Sequence, residues 1–398
     1  MTPRLLLLFL CFLGFEQVNA QCSDEVLYLN SQADVDNFLV VYPNVINWNG
    51  SITISGSTTT NLNALANLES ICGRFTIIGT SLTNLNGLNN LTTVDDDFGI
   101  ASNDLLINLQ GLENLSIVES FSIINNDALL NLNGLGDLTN VNYLQIFSNV
   151  SLINLEGFNY LGSYIEEIDI FSNANLTNID GLTSLSEIGR LEIMGNNMLN
   201  SLQGLENLTS LEFLFIVDSP SLTNLEGLEN LEILKAIFFR NTMLNSLDAI
   251  ADVVIPNYNP STDANSPIVL IEDCPFLSNC SISGICEQIS DSNFYFSIQN
   301  NASGCNSVPE ILVGCQNLGI EDMTMNPVKI YPTIAEDIVT ITGGDFSKIQ
   351  IYDTMGRMVL EAKMNSKSVN IEKLISGRYF IKLTDTNYNV VFKELLVK

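Results

Sequence analysis

Apolar and polar positions alternate in short runs that recur along most of the chain at a step of 22–24 residues. Each run contains an apolar-x-apolar pair, and period-2 alternation over so few residues predicts a half-buried strand. The pairs are Ile52/Ile54, Phe75/Ile77, Phe98/Ile100, Phe121/Ile123, Leu144/Ile146, Ile168/Ile170, Leu191/Ile193, Leu214/Ile216 and Ile237/Phe239. A fixed period of this length predicts a stack of repeated coils.

Two further signals follow each pair in a constant order. Three residues after the second apolar position stands a small hydrogen-bonding side chain, which can satisfy main-chain groups of the turn and of the neighbouring coil. An L-x-G-L-x-x-L segment then returns the chain to the next strand. The turn residues are Ser57, Thr80, Asn103, Asn126, Asn149, Asn173, Asn196, Ser219 and Thr242. Because no coil can bury its apolar side alone, the pattern predicts an all-β protein, a right-handed parallel β-solenoid.

After Ala249 the period loosens, but the template continues. Ile268 to Leu270 with Asp273, and Phe296 to Ile298 with Asn301, fit strand and turn and bring the total to about 11 coils. An open last coil would be an unpaired strand edge, so we expect a polar or cross-linked end.

Five of the seven cysteines after residue 20 lie at this end. Their positions within the coils pair Cys280 with Cys305 and Cys286 with Cys315. A metal site is the alternative for such a cluster. The chain has no histidine and the spacings differ from those of a zinc ribbon, so we expect disulfides and no metal.

The repeats resemble two solenoid families. The copy Val118-x-x-Phe121-x-Ile123-x-x-Asn126 follows the L-x-x-L-x-L-x-x-N signature of leucine-rich repeats. The whole arrangement is similar to the receptor L domain, the β-helical ligand-binding module of insulin-receptor-type and epidermal-growth-factor-receptor-type ectodomains. That family begins with a cysteine, a short amphipathic helix and a first strand.

This chain offers Cys22, the stretch Ser31 to Val41 and the strand from Ser51, and the resemblance spans Cys22 to Cys315. It implies a short N-terminal cap helix, a Cys22–Cys72 disulfide that leaves Cys274 unpaired, and ligand binding by the sheet face.

The two ends of the chain carry export signals. Residues 1–20 read as a secretory signal peptide, because an apolar run of about 11 residues is too short to serve as the alternative, a membrane anchor. The solenoid then occupies residues 21–316 and a linker residues 317–325. Residues 326–398 hold ten basic and eight acidic side chains, and their alternating strands, broken by Gly and Asp turns, predict a small antiparallel β-sandwich.

This C-terminal module resembles the sorting domain of proteins that the type IX secretion system of Bacteroidota exports. The matching residues are Asn326-Pro327, Tyr331-Pro332, Ile351-Tyr352-Asp353, Met355-Gly356-Arg357, Ser376-Gly377-Arg378-Tyr379, Lys393 and Lys398. The resemblance implies contact with the secretion machinery, and a protein that is shed or held at the outer cell surface. The alternative is an adhesive β-sandwich that stays on the mature protein.

The negative charge of the solenoid limits the kinds of partner that it can bind. Between residues 21 and 326 the chain has 36 acidic and four basic side chains, which argues against nucleic acid and anionic membrane surfaces. A solvated surface explains this charge, and cationic partners or calcium are compatible with it. The densest acidic runs, Asp95 to Asp97 and Glu166-Glu167, lack the ligand spacing of an EF-hand loop.

Catalytic signals are sparse. Without histidine, Ser-His-Asp and Cys-His arrangements are excluded, and no G-x-S-x-G or phosphate-binding glycine loop occurs. Asp169 and Glu192 share an outward column on adjacent coils and could mimic a retaining carboxylate pair. Neighbouring acids are common in so acidic a sheet, and polysaccharide-degrading β-helices combine clustered Asp with basic residues, which are few here. We therefore expect no enzyme and no cofactor.

The outward strand face is apolar where a solvated sheet would be polar. Such patches mark interaction sites, and Phe and Met are typical interface anchors. The candidate binding residues are Ile124, Phe147, Phe171, Met194, Phe215, Val217 and Phe238. We expect a recognition or adhesion protein for an extracellular protein or glycan. The alternatives are a spacer rod, whose apolar face is covered by the insertion Ala251 to Pro267, and a polysaccharide-active enzyme.

Overall fold

The computed structural model describes residues 22–136, 138–158, 160–256, 268–289, 295–318, 329–331, 334–335, 337–342, 346–353, 357–364, 367–385 and 390–398. The predicted signal peptide, most of the insertion after residue 256, and the sorting-motif residues Asn326, Pro327, Pro332, Met355 and Gly356 lie outside these ranges. The chain divides into two compact units, Met1–Gln316 and Asn317–Lys398. None of the described helices has the length and apolar character needed to cross a membrane.

The first unit is a parallel β-solenoid, which confirms the fold expected from the repeats. Its strands are β1 (Val26–Leu29), β2 (Asn47–Trp48), β3 (Ser51–Ser55), β4 (Ser70–Ile71), β5 (Phe75–Ile78), β6 (Thr93–Ala101), β7 (Ile117–Ile124), β8 (Asn140–Phe147), β9 (Tyr164–Phe171), β10 (Glu187–Met194), β11 (Ser210–Val217), β12 (Ile233–Arg240), β13 (Ile268–Glu272) and β14 (Tyr295–Gln299). They form one 14-stranded sheet in the order β1-β3-β5-β6 and onward to β14, with β2 and β4 beside this path. Eleven strands, β3 and β5 to β14, follow β1 on the main path, in agreement with about 11 coils.

Strand register keeps like residues in columns. Phe98 pairs with Phe121 and Ile100 with Ile123, and all four side chains are completely buried. The rings of Phe98 and Phe121 lie 5.3 Å apart inside the stack. Each buried aliphatic or aromatic side chain contributes about 1.5–3 kcal/mol, so the shared core stabilises coils that could not fold singly.

Strands β7 to β12 are eight residues long, which is longer than the apolar-x-apolar pairs indicated. Their second, fifth and seventh residues are buried, as Val118, Phe121 and Ile123 are in β7. The third, fourth, sixth and eighth residues are intermediate or exposed, except for the buried Asp169, Val217 and Ala236. On this outer face, register aligns the fourth, sixth and eighth residues of adjacent strands in columns, of which the sequence pattern had indicated the last two.

A ladder of buried asparagines runs along the turns. The amide of Asn149 donates to the main-chain oxygens of Ile123 and Phe147, and its Oδ1 accepts from the main-chain nitrogen of Asn126 at 3.0 Å. Asn103, Asn126, Asn173 and Asn196 repeat this arrangement on their own coils. The ladder satisfies the polar groups that a buried bend would otherwise leave unpaired.

Two predicted turn residues were placed wrongly. In the first coil Ser57 is exposed and Thr59 is buried, because the chain bulges at Gly56, whose φ is +91°. In β13 the core residues are Val269 and Ile271, so Cys274 rather than Asp273 enters the ladder.

The buried thiol of Cys274 lies 3.2 Å from the Thr242 hydroxyl, and its main-chain nitrogen donates to Asn301 Oδ1. Asp273 has the positive φ, 56°, of the residue that precedes the ladder in other coils. The unpaired cysteine is thus a ladder residue.

Glycine in the return segment is required by close approach of the coils. Gly111 has φ of +115°, and a Cβ at this position would collide with the main-chain oxygen of Leu85 in the preceding coil. Gly87, Gly134, Gly204 and Gly227 have the same positive φ and the same kind of neighbour.

Both ends of the solenoid are closed. Helix α1 (Gln32–Val41), capped by the Ser31 hydroxyl, covers the first coil, and Cys22 is bonded to Cys72. At the other end stand α2 (Ser283–Gln288) and α3 (Val308–Leu318), which were not foreseen. The bonds Cys280–Cys305 and Cys286–Cys315 join this end, and Ile311 of α3 is buried in the core. These three disulfides are the pairs expected from the sequence.

The second unit contains two small sheets around their own core. Its strands are β15 (Lys329–Tyr331), β16 (Ile334–Ala335), β17 (Ile338–Thr342), β18 (Phe346–Asp353), β19 (Met358–Lys363), β20 (Ser368–Asn370), β21 (Gly377–Asp385) and β22 (Val390–Val397). The sheet orders are β15-β17-β20 and β16-β22-β21-β18-β19. Pairing is antiparallel as predicted, except that β16 runs parallel to β22.

Candidate interaction surface on the solenoid sheet

The seven candidate binding residues all lie on the outer face of β7 to β12. Five of them form the last outward column, and Phe215 and Phe238 occupy the column beside it. We call the first five the apolar strip: Ile124, Phe147, Phe171, Met194 and Val217. Register places each strip residue beside the next on the adjacent coil.

Exposure differs along the strip. Ile124, Phe147, Phe171 and Met194 are half-buried, as expected for side chains that pack against their neighbours but keep one side open. Val217 is only 2% exposed, so it supports the strip and offers no contact area. The apolar run ends at the exposed Arg240, beyond which the column continues with Glu272 and Gln299.

The insertion from Ala251 was considered as a cover for the apolar strip, but its described residues lie near the start of β12. Val254 makes a parallel bridge to Ile233 at the start of β12, at the opposite end of the strand from the strip column. Val253 and Ile255 are buried. Residues 257–267, the rest of that insertion, lie outside the described residues.

The aromatic rings of this face already have partners on their flat sides. Phe147 and Phe171 stack with centroids 4.7 Å apart and planes 3° apart. The guanidinium of Arg190 lies 5.0 Å from the centroid of Phe215, and that of Arg240 lies 5.8 Å from Phe238. Stacking and cation–π contacts of this kind occupy one flat face of each ring and reduce the ring surface left for a partner.

Beside the apolar strip lies a charged group that we call the carboxylate cluster: Glu167, Asp169, Arg190 and Glu192. Glu167 and Asp169 are on β9, and Arg190 and Glu192 are their register partners on β10. Arg190 Nη2 donates to Glu192 Oε1 in a short contact, and its Nη1 lies 3.7 Å from Glu167 Oε1. One guanidinium therefore joins the two carboxylates nearest to Asp169.

Asp169 itself is incompletely paired. It is 6% exposed, and its Oδ1 has no hydrogen-bond partner. Burial, then the negative charges of Glu167 and Glu192, raise the pKa of Asp169 to about 7, although Arg190 acts in the opposite direction. Near neutral pH this carboxyl is therefore divided between its protonated and ionised forms.

The raised pKa of the neighbouring Tyr143 indicates that the local electrostatic potential is negative. Tyr143 on β8 is the register partner of Glu167, and the charge of Glu166 is the largest influence that raises the pKa of its phenol, ahead of burial, Glu119 and Glu167. The outer face around β8 and β9 is thus strongly negative. Sequence reasoning noted Glu167 only as part of an acidic run and did not place Tyr143, Glu167 and Arg190 on this face, because it followed only the columns beside the core pair. Extending the period two residues earlier would have found them.

Metal ligation is not supported by the geometry of this cluster. Among the described residues, the group of potential ligands within 4.8 Å of one another is Cys22, Cys72 and Asp95, and its two sulfurs are joined in a disulfide. The carboxylates of Glu167, Asp169 and Glu192 do not converge as closely.

Comparison with known proteins identifies one module and gives one distant similarity. Residues 329–398 match the family model of the secretion system C-terminal sorting domain. In this segment Asp353 accepts hydrogen bonds from the main chain and side chain of Arg357, and the buried Tyr379 donates its hydroxyl to Ile375.

A segment of 93 residues is 27% identical to an endo-acting ulvan lyase of Formosa agariphila. It covers 22% of this chain and 18% of that protein, so the chain spans less than a fifth of this relative.

The identified module is the sorting domain. The protein is therefore a cargo of the type IX secretion system, which it engages through residues 329–398, and it is secreted or held at the outer cell surface.

Proposed function

We propose that this protein is a non-enzymatic recognition or adhesion protein of the cell exterior, and that the apolar strip and its aromatic neighbours bind an extracellular protein or glycan. The observation that carries this proposal is the row of half-buried apolar side chains on the outer face of adjacent coils, from Ile124 to Met194. A sheet face with no role beyond solubility would carry polar residues here, whereas contiguous apolar surface is typical of interaction sites.

Two further features support recognition. Export by the sorting domain puts the surface where extracellular partners are met. The coils also resemble leucine-rich repeats and receptor L domains, in which the sheet face binds protein ligands. The disulfides at both ends of the solenoid suit a protein that works in an oxidising exterior.

The test is partner capture by residues 21–398. Immobilised wild type would be exposed to solubilised outer-surface proteins and to a glycan array, beside Phe147→Ser/Phe171→Ser. The matched control is Ile107→Ser/Leu130→Ser, which removes two apolar side chains, 47% and 46% exposed, from adjacent coils elsewhere on the solenoid.

Partners retained by the wild type and the control but not by the strip variant are the expected result. If no partner is retained, or if the strip variant retains the same partners, the strip has no recognition role and the spacer rod becomes the better account.

A second candidate function is polysaccharide cleavage, which two observations favour. Asp169 and Glu192 are neighbours in register, about 4.8 Å apart along the stack, and the pKa of Asp169 near 7 suits a general acid. The similarity to an ulvan lyase also points to polysaccharides.

Recognition stands ahead of cleavage for physical reasons. Asp169 is nine-tenths buried in the negative field of Glu167 and Glu192, which repels acidic polysaccharides such as uronates. The similarity to the lyase covers only 22% of this chain and 18% of that protein. Release of reducing ends or unsaturated uronates from algal polysaccharides, abolished in Asp169→Asn, would reverse this order.

A further inference from the structure

We propose that Glu167, Asp169 and Glu192 form a seat for a cationic side chain of a protein partner, and that the guanidinium of Arg190 fills this seat in the unbound protein. The inference deepens the proposed function, on which it rests, by naming the class of partner: a protein segment with a lysine or arginine among apolar side chains.

The seat is not saturated by its resident cation. The seat has three carboxyl groups but only one guanidinium, that of Arg190, whose Nη atoms contact Glu167 and Glu192. Asp169 Oδ1 is left buried and without a partner, and Arg190 Nε is also buried and unpaired. A buried polar atom without a hydrogen bond costs about 1–3 kcal/mol, so a cation that donates to Asp169 Oδ1 would recover part of this free energy on binding.

Arg190 is held firmly on one side of the seat only. Its Nη2 donates to Glu192 in a short contact and its guanidinium lies over Phe215, but its Nη1 is 3.7 Å from Glu167 and its side chain is 41% exposed. A long, partly exposed ion pair such as the one with Glu167 contributes about 0–1 kcal/mol. A partner that brings its own cation can therefore displace Arg190 from Glu167 at little cost, beside the unpartnered Oδ1 of Asp169.

The surroundings favour a protein cation over a sugar or a metal. Phe171 and Met194 of the apolar strip follow Asp169 and Glu192 by two residues on the same strands, so charged and apolar contacts lie side by side. One flat face of each of Phe147, Phe171 and Phe215 is occupied, which limits the area left for stacked sugar rings. The carboxylate oxygens do not converge enough for a metal ion.

The pH dependence of the seat is set by the groups around Asp169. The charged and titratable groups that influence Asp169 are Glu167 on its own strand and Arg190 and Glu192 on β10. On the other side, β8 contributes Gln145 as the register partner of Asp169, and Tyr143. A bound cation favours the ionised carboxyl, so binding should release a proton near neutral pH and tighten as pH rises.

The test uses a defined probe and residues 21–398. The probe is a blocked pentapeptide with one lysine between leucine and phenylalanine residues, titrated by calorimetry at pH 8 and low salt. The reference is the same peptide with glutamine in place of lysine. The variants are Arg190→Gln, Asp169→Asn/Arg190→Gln, and Lys235→Gln.

Lys235→Gln is the charge-matched control, because it breaks the Lys235–Glu212 ion pair between the neighbouring strands β11 and β12. Arg190→Gln should bind the lysine peptide about fivefold more tightly than wild type, which corresponds to about 1 kcal/mol. The double variant should lose this gain, and Lys235→Gln should stay near wild type.

Equal gains in Arg190→Gln and Lys235→Gln would show only a general charge effect and would overturn the seat. So would no gain in Arg190→Gln, or equal binding of the glutamine peptide. The probe does not involve the natural partner, so failure of the seat and failure of the strip as a recognition surface remain separate results.

Discussion

The rings of Phe147 and Phe171 lie parallel and 4.7 Å apart, although the two residues are 24 positions apart in the chain. Coils of 23 and of 24 residues alternate irregularly along the solenoid. The register between β6 and β7 shifts between Val94 and Asp97, whereas β8 and β9 pair across their 24-residue step without a shift. The additional residue is absorbed between the strands. Outward side chains therefore remain in columns, and a surface pattern can extend over many coils.

The asparagine ladder should be a main determinant of stability. Asn149→Ala would leave main-chain groups of Ile123 and Asn126 without their buried partners, each at about 1–3 kcal/mol. We expect a loss of about 3 kcal/mol in the free energy of unfolding, measured in guanidinium. Asn175→Ala, at an exposed position, is the control and should change stability by less than about 0.5 kcal/mol. Similar losses in both would contradict the ladder.

Asp169 should make stability depend on pH. Its pKa in the folded protein, about 7, lies above the ordinary value of 3.8, so the folded state binds the proton more tightly than the unfolded state. The contribution of Asp169 to stability should therefore be largest below about pH 4, fall as pH rises to about 7, and level off above that.

Asp169→Asn keeps this position uncharged and should remove that part of the slope. At pH 8 it should raise the free energy of unfolding by on the order of 2 kcal/mol, with little change at pH 4. Denaturant titrations of wild type and variant across this pH range provide the measurement. A variant that is less stable than wild type at pH 8 would contradict the raised pKa.

The cysteines give a simple chemical prediction. Residues 21–398 contain seven cysteines, six of which are paired in the structure. Cys274 is buried, and burial raises the pKa of its thiol. A thiol reagent should therefore label no site in the native protein and one site after unfolding. Peptide mapping should place the label on Cys274; labelling of any other cysteine would contradict the pairing.

Removal of the sorting domain should stop export. In a type IX-secreting host, a chain truncated after Leu318 should accumulate inside the cell envelope, while the full chain reaches the surface or the medium. Fractionation and immunoblotting measure this. A chain with Val339→Asp, which puts a charge in the core of the second unit, should behave like the truncation. Normal export of the truncated chain would show that the signal lies elsewhere.

Much of this architecture could be predicted from one sequence, because a solenoid repeats its local rules. The spacing of Phe98/Ile100 and Phe121/Ile123 specifies strand, column and core together, and the asparagines mark the turns between them. Pairing of Cys280 with Cys305 followed from their places in successive coils. Errors appeared where the repeat is broken, as at Gly56 before Thr59, and where the last coils carry insertions, as at Cys274.

The candidate surface was only half visible in the sequence. The period located Phe147 and Phe171 on the outer face, but it could not show that their rings stack on each other. Arg190 was counted as one of four basic residues, and its bridge between Glu167 and Glu192 depends on side-chain conformation. The burial of Asp169 likewise results from packing between strands and leaves no signature in residue order.

The central claim is that the apolar strip is an exposed contact surface and not covered core. The most direct measurement is the free energy of unfolding of Phe147→Ser/Phe171→Ser, made on the same preparation whose partner binding is measured, beside the core variant Phe98→Ser. We expect the strip variant to lose partner binding but less than about 2 kcal/mol of stability, while Phe98→Ser loses about 3–5 kcal/mol. A strip variant that is destabilised as much as the core variant would contradict it, because these rings would then be packed beneath other parts of the protein.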